Sequence, residues 1–161
     1  LNASNVDKFD ILTRAMRLNA ALYANEINIR TGSNYYDFNT LQARKSSNQP
    51  DSADYQFALD ASNLGAMYAN RISLIGTEAG LGVRSEGLIT STDSMQLTAD
   101  GRLELKNTIA GGDLALRSQN ADVITHGTTY GKGVSIKLAD TLQNNGIIAA
   151  ADSMDITAAE L

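Results

Sequence analysis

The sequence predicts an all-β protein: a right-handed, single-stranded parallel β-helix with coils of about twenty residues and a hairpin inserted outside the helix. Three observations predict it: an internal repeat, period-two apolar alternation, and frequent Gly and Asn punctuation. In the repeat, Gly87-Leu88-Ile89-Thr90-Ser91-Thr92-Asp93-Ser94-Met95-Gln96-Leu97-Thr98-Ala99 returns as Gly146-Ile147-Ile148-Ala149-Ala150-Ala151-Asp152-Ser153-Met154-Asp155-Ile156-Thr157-Ala158. Seven of the thirteen positions are identical at an offset of 59 residues, which suits three coils of ~20 residues each. A degenerate copy, Asn107 to Leu116, lies about one coil after the first.

Upstream, Leu22-Tyr23-Ala24-Asn25-Glu26-Ile27-Asn28-Ile29 returns 45 residues later as Met67-Tyr68-Ala69-Asn70-Arg71-Ile72-Ser73-Leu74. That offset is expected to span two coils, one of them carrying a loop. Ile27-Asn28-Ile29, Ile72-Ser73-Leu74, Leu103-Glu104-Leu105, Leu114-Ala115-Leu116 and Val134-Ser135-Ile136 alternate as short strands with one buried face. Gly and Asn between them turn the chain too often for long helices. The first twenty residues are expected to be strand as well, because Met16, Leu18, Ala20 and Leu22 alternate. A sandwich is the rival architecture, but its strands occupy unique environments, whereas stacked coils superpose equivalent residues. Six or seven coils at ~4.8 Å spacing make a rod of roughly 30 Å.

Composition narrows the function. Among 161 residues, 43% are hydrophobic and 19% charged, and the net charge is −5 with thirteen scattered Lys and Arg. Nothing builds the basic stripe that nucleic acid requires, and no apolar run approaches a membrane span of ~20 residues. Neither nucleic-acid binding nor membrane insertion is expected, and the chain is expected to be a monomer. Cysteine is absent, so disulfides and thiolate metal sites are impossible. The chain opens on Leu1 without an initiator Met or leader, as expected of an internal or processed piece.

Certain stretches are more specific. Asn2 to Asp7, Phe9 to Arg14, Leu22 to Asn25, Thr31-Gly32, Asp60 to Ile72 and Gly76 to Arg84 resemble two-partner-secretion exoproteins: filamentous haemagglutinins, related large adhesins and contact-dependent growth inhibition proteins. Residues 1–89 resemble the end of the amino-terminal secretion domain, with an insertion at 33–58, and residues 90–161 resemble haemagglutinin repeats. One continuous β-helix is therefore expected over 1–161. The resemblance implies export through a dedicated outer-membrane transporter pore and display on, or release from, a Gram-negative cell. A host or neighbouring-cell receptor or glycan is the implied binding partner. The family's Asn-Pro-Asn motifs are missing, Pro50 being the sole proline, so the part that first engages the transporter is not expected here.

Few residues suggest a site. The insertion holds five of nine aromatic residues, and its edges, Tyr35 to Phe38 and Asp54 to Phe57, alternate like hairpin strands. Tyr35, Tyr36 and Tyr55 with Arg44 form a candidate contact surface; the alternative is a cover over the helix. Tyr23 with Tyr68, Asn25 with Asn70, and Met95 with Met154 are expected to be ladders between coils, with side-chain bonding between stacked Asn. No catalytic residue, metal ligand or cofactor is expected. His126 is the only histidine, Gly111-Gly112-Asp113 lacks the calcium nonapeptide pattern, and Asp93 and Asp152 lie three coils, roughly 14 Å, apart. The leading function is a structural shaft and adhesion segment, mediating cell adhesion or presenting a distal toxin. A secretion module recognised by the transporter is the alternative, and a polysaccharide-cleaving β-helix enzyme a remote one.

Overall fold

A computed structural model describes residues 1–37, 40, 42–46 and 56–161, and among these there is no helix. Alternating sequence becomes alternating burial. Glu26–Thr31 and Arg71–Gly76 bury every second side chain, and Gly82–Ser91 follows the same rhythm over ten residues. Strands with one apolar side must stack that side against other strands. Here they do so by winding, and all pairings in the sixteen-stranded sheet are parallel.

The coils have three faces. The first stacks Asn2–Ala3, Leu22–Ala24, Met67–Ala69 and then 88–91, 107–110, 128–131 and 147–150. On the second stand Phe9–Thr13, Glu26–Thr31, Arg71–Gly76, Met95–Ala99, Leu114–Ser118, 133–138 and 153–157. Met16–Leu18, Phe57–Ala61, 82–85, 103–105, Val123–Thr125 and Leu142–Asn144 make the third. Seven levels on two faces and six on the other give the expected parallel β-helix.

The register settles how the repeats map onto coils. Met95, Leu114, Val134 and Met154 form one column, so the repeat does return after three coils. Met95 is 2% exposed and Met154, on the seventh coil, 46%. The upstream offset has a different explanation from the one expected. Ile27 pairs directly with Ile72 and Tyr23 with Tyr68, so 45 residues make one enlarged coil rather than two. The insertion absorbs the excess length while both of its ends stay in the ladder. The first twenty residues hold the strands Asn2–Ala3, Phe9–Thr13 and Met16–Leu18 separated by turns, and the alternation expected to run to Leu22 stops at Leu18 because Leu22 begins the next coil.

Ile27, Leu74, Leu97, Leu116 and Ile136 fill a narrow interior, each 1% exposed or less. Thr108 and Thr129 interrupt the apolar column Ile89–Ile148 on the first face. Corners require close approach of backbone. A Cβ on Gly65 would strike the Leu18 carbonyl oxygen, and one on Gly87 the Gly65 carbonyl oxygen. Gly87→Ala is expected to destabilise the protein by about 1–3 kcal/mol through that overlap. Leu97→Ala, which empties part of the fully buried column, should cost about 2–5 kcal/mol in urea denaturation.

Candidate functional site

The extra-helical hairpin leaves the helix after Gly32. Asn34–Asp37 pairs antiparallel with Gln42–Lys45, opposing Tyr35 to Arg44 and Tyr36 to Ala43. This corrects the second hairpin strand, expected at 54–57. Its partner strand is Gln42–Lys45, and Phe57 instead begins Phe57–Ala61, a strand of the third face. Phe57 sits in the ladder because its segment buries Ala58, Leu59 and Ala61, burial that a projecting hairpin edge could not supply. Tyr55 lies outside the described residues.

Tyr35, 65% exposed, and Arg44 point outward as cross-strand neighbours. Tyr36 turns the other way, half-buried, and shares a shallow groove with Leu12, Arg30 and Ile75 on the outside of the second face. The hairpin thus has an outer side carrying Tyr35 and Arg44 and an inner side covering the helix. Tyr35 and Arg44 thus face solvent, and Tyr36 faces the helix.

Its root is held by a buried carboxylate. Glu78, 1% exposed, accepts hydrogen bonds from Arg14 Nε at 3.2 Å to each oxygen and from Arg14 Nη2 at 2.8 Å. The Ser33 hydroxyl donates to Glu78 at 3.4 Å. Thr77 Oγ1 lies 3.0 Å from both the Thr31 carbonyl and the Asn34 side-chain oxygen. Arg14 and Glu78 are 64 residues apart, so no local sequence pattern announces their pairing.

On the outside of the first face, Asn2, Tyr23, Tyr68, Thr90, Ile109, Tyr130 and Ala149 form one vertical column. Tyr23 and Tyr68 stack with centroids 4.8 Å apart and planes 8° from parallel. Each ring spends one π face on the other. No charged residue occurs in any strand of this face. At the adjoining corner, Asn25 donates to the carbonyls of Ser4 and Val6, whereas Asn70 accepts from Thr92. The expected Asn–Asn bonding gives way to bonds with the neighbouring coils, because one residue's side chain points down the stack and the other's up.

The third face carries the opposite pattern. Arg17, Asp60, Arg84 and Glu104 follow one another in register, alternating in sign. Arg84 bonds Asp60 through Nε and Nη2, both at 2.9 Å, and lies 4.8 Å from the Phe57 ring centroid. The hydrogen bonds from Arg84 hold the Asp60 carboxyl below its ordinary value, against the opposing effect of burial and with help from the charges of Arg84 and Arg17. The same pairing holds Arg84 above its ordinary value. The sequence reading missed these partners, although opposite charges one coil apart were visible in principle once the insertion was placed.

The other weighed residues stay dispersed. His126 lies 3.7 Å from Glu104. Asp93 pairs with Arg71 and Asp152 with Lys132, at separate levels of one corner. Asp113 accepts from the Gly133 amide. Among the described residues, no group of three or more His, Cys, Asp or Glu is placed to hold a metal ion.

A parallel coil stack with an extra-helical hairpin defines the class: a single-stranded β-solenoid. The chain belongs to the two-partner-secretion (TPS) family: the TPS secretion domain pattern matches residues 1–105, and the haemagglutinin repeat matches residues 106–159. The strand Leu103–Ala110 runs through the junction without a break. Members of this group are secreted or cell-surface proteins of Gram-negative bacteria.

Over 107 residues the chain is 43% identical to a protein named tRNA nuclease CdiA-2 from Burkholderia pseudomallei, covering 65% of this chain and 3% of that one. It is 36% identical over 138 residues to Toxin CdiA from Yersinia pestis, covering 83% and 4%. With the 16S rRNA endonuclease CdiA of Enterobacter cloacae it shares 31% over 160 residues, covering 98% and 5%. The chain thus spans only 3–5% of the length of these relatives. A crystal structure of the filamentous haemagglutinin secretion domain matches in fold with a TM-score of 0.54 at 23% identity, covering 98% of this chain and 48% of that one.

Acid should expose the Asp60–Arg84 contact. Because the folded-state pKa of Asp60 is lowered, its stabilisation is present above the unfolded value of about 3.9 and is lost as pH falls through the folded value. At pH 7, Asp60→Asn is expected to lower stability by about 1 kcal/mol or less, since the pair is partly solvated. The gap to wild type should narrow as pH falls below that unfolded value, as read from urea midpoints.

Proposed function

We infer that this chain is a shaft segment of a large exported surface protein, a stiff rod that holds distal binding or toxin regions away from the cell. The single observation that carries this reading is the unbroken column of stacked coils, continuous from the secretion-domain region into the haemagglutinin repeat. Each coil adds one strand spacing of ~4.8 Å in a fixed direction, so reach grows in proportion to coil number. The relatives named as toxins and nucleases support presentation of a distal toxin. The shaft itself performs no chemistry in this reading.

Adhesion belongs to the outer side of the hairpin, where Tyr35 and Arg44 are exposed to a receptor or glycan. A second reading has its own support: residues 1–105 match a secretion domain, so this part acts during export as a module recognised by the outer-membrane transporter. Disulfide-free coils that contact mainly their neighbours can cross a pore unfolded and fold in order as they emerge.

Two experiments on the full-length parent separate these roles. Replacing residues 106–159 with an equal number of coils from an unrelated solenoid should leave surface display and target-cell killing unchanged if the segment is a spacer. Killing lost with display intact would refute the spacer role. Deleting residues 1–105 should abolish export if that part is the module recognised by the transporter; normal export would refute it. For adhesion, Tyr35→Ala with Arg44→Ala should reduce cell binding of the purified chain at least threefold, with melting temperature unchanged. Unaltered binding would leave the hairpin as a cover alone.

A further inference from the structure

In a stack of coils, each coil ordinarily contacts only the ones directly above and below. Six of the seven Lys or Arg ion pairs among the described residues obey this rule: Lys8–Glu26, Arg71–Asp93, Arg84–Asp60, Arg102–Asp122, Lys132–Asp152 and Lys137–Asp155 all join adjacent coils. Arg14–Glu78 does not. Thr13, Thr31 and Gly76 occupy three successive levels of the second face, so Arg14 follows the first level and Glu78 the third. Between them, at the second level, is Gly32.

Gly32 makes the skip possible. Its φ is +115°, a conformation L side chains rarely adopt, and a Cβ there would strike Thr77 Oγ1 and lie 2.9 Å from the Glu78 amide nitrogen. Its amide donates to the carbonyls of Thr13 and Arg14, at 3.1 and 2.9 Å, tying it down to the first coil. The coil interrupted here is also the enlarged one, whose two ends are separated by the whole insertion. Long loops carry a closure cost that short coils escape. A forked guanidinium–carboxylate contact is the strong form of an ion pair, and without Arg14 the buried Glu78 carboxylate would lose its cation.

We propose that Arg14 and Glu78 form a latch that closes the enlarged coil: Glu78, arriving with the third coil, captures Arg14 of the first and locks coils one to three with the hairpin root into a single cooperative unit. Before Glu78 is in place the first two coils and the hairpin root lack this tie to the third coil. Once it docks, they open together or not at all. Ser33, at the hairpin's first step, is drawn into the same carboxylate, so the latch reports on the hairpin as well as the helix.

Hydrogen exchange followed by mass spectrometry on the 161-residue chain tests this. In Glu78→Gln, amides of 9–13, 26–31 and 34–37 should exchange at least tenfold faster, while those of 114–118 and 133–138 keep wild-type rates. Asp122→Asn, which breaks an adjacent-coil pair, should leave 9–13 untouched. Acceleration confined to 71–76, spread evenly over all coils, or absent would overturn the latch. Should Glu78→Gln fail to fold, Arg14→Lys keeps the charge but removes the fork. It should accelerate the same three segments by a smaller factor, and wild-type exchange at 9–13 in that variant would equally overturn the proposal.

Discussion

Backbone hydrogen bonding between successive coils fixes the height and phase of each coil on the one beneath it. Every side-chain relationship in the molecule inherits that alignment. A slip of one residue in any strand would turn its interior set outward, exchanging residues such as Leu97 and Leu116 for Gln96 and Ala115. The apolar interior therefore specifies register as firmly as the hydrogen bonds require it. Glycines at the corners complete the constraint, since Gly65 and Gly87 let consecutive coils approach where a methyl group would hold them apart.

Electrostatics then acts as a second reader of register. Along the third face, Arg17, Asp60, Arg84 and Glu104 alternate in sign at coil spacing. A displaced coil would set like charges against each other. Such partly exposed pairs contribute little individually, and their value lies in disfavouring wrong stackings. The Arg14–Glu78 pair differs in span and in the burial of Glu78: among the described residues it is the Lys or Arg ion pair that reaches past an adjacent level.

The sequence was legible wherever a signal repeated. Met95 and Met154, Tyr23 and Tyr68, and the period-two strands disclosed a parallel stack, because stacked coils repeat their environments and so their residue types. What failed was the accounting at the one place where the period breaks. A 45-residue offset reads as two coils when insertions are invisible. The return of the chain at Phe57 was likewise hidden, since Tyr55 to Phe57 alternates as well in a projecting hairpin as in the ladder. The contacts at the hairpin root were illegible for a different reason: Arg14 and Glu78 meet through topology across 64 residues, and a lone arginine and a lone glutamate carry no mark of each other.

The first face has tyrosine, threonine, asparagine and aliphatic residues outside, and its strands hold no ionisable acid or base at all apart from the tyrosine phenols. Charge on this rod is consequently distributed around two sides and the corners, leaving a neutral stripe parallel to the long axis. Dissolved salt has counterions to marshal on those flanks and none to marshal on the stripe. Seen end-on, the electric field of the molecule is lopsided, so the protein has a front and a back as well as a top and a bottom.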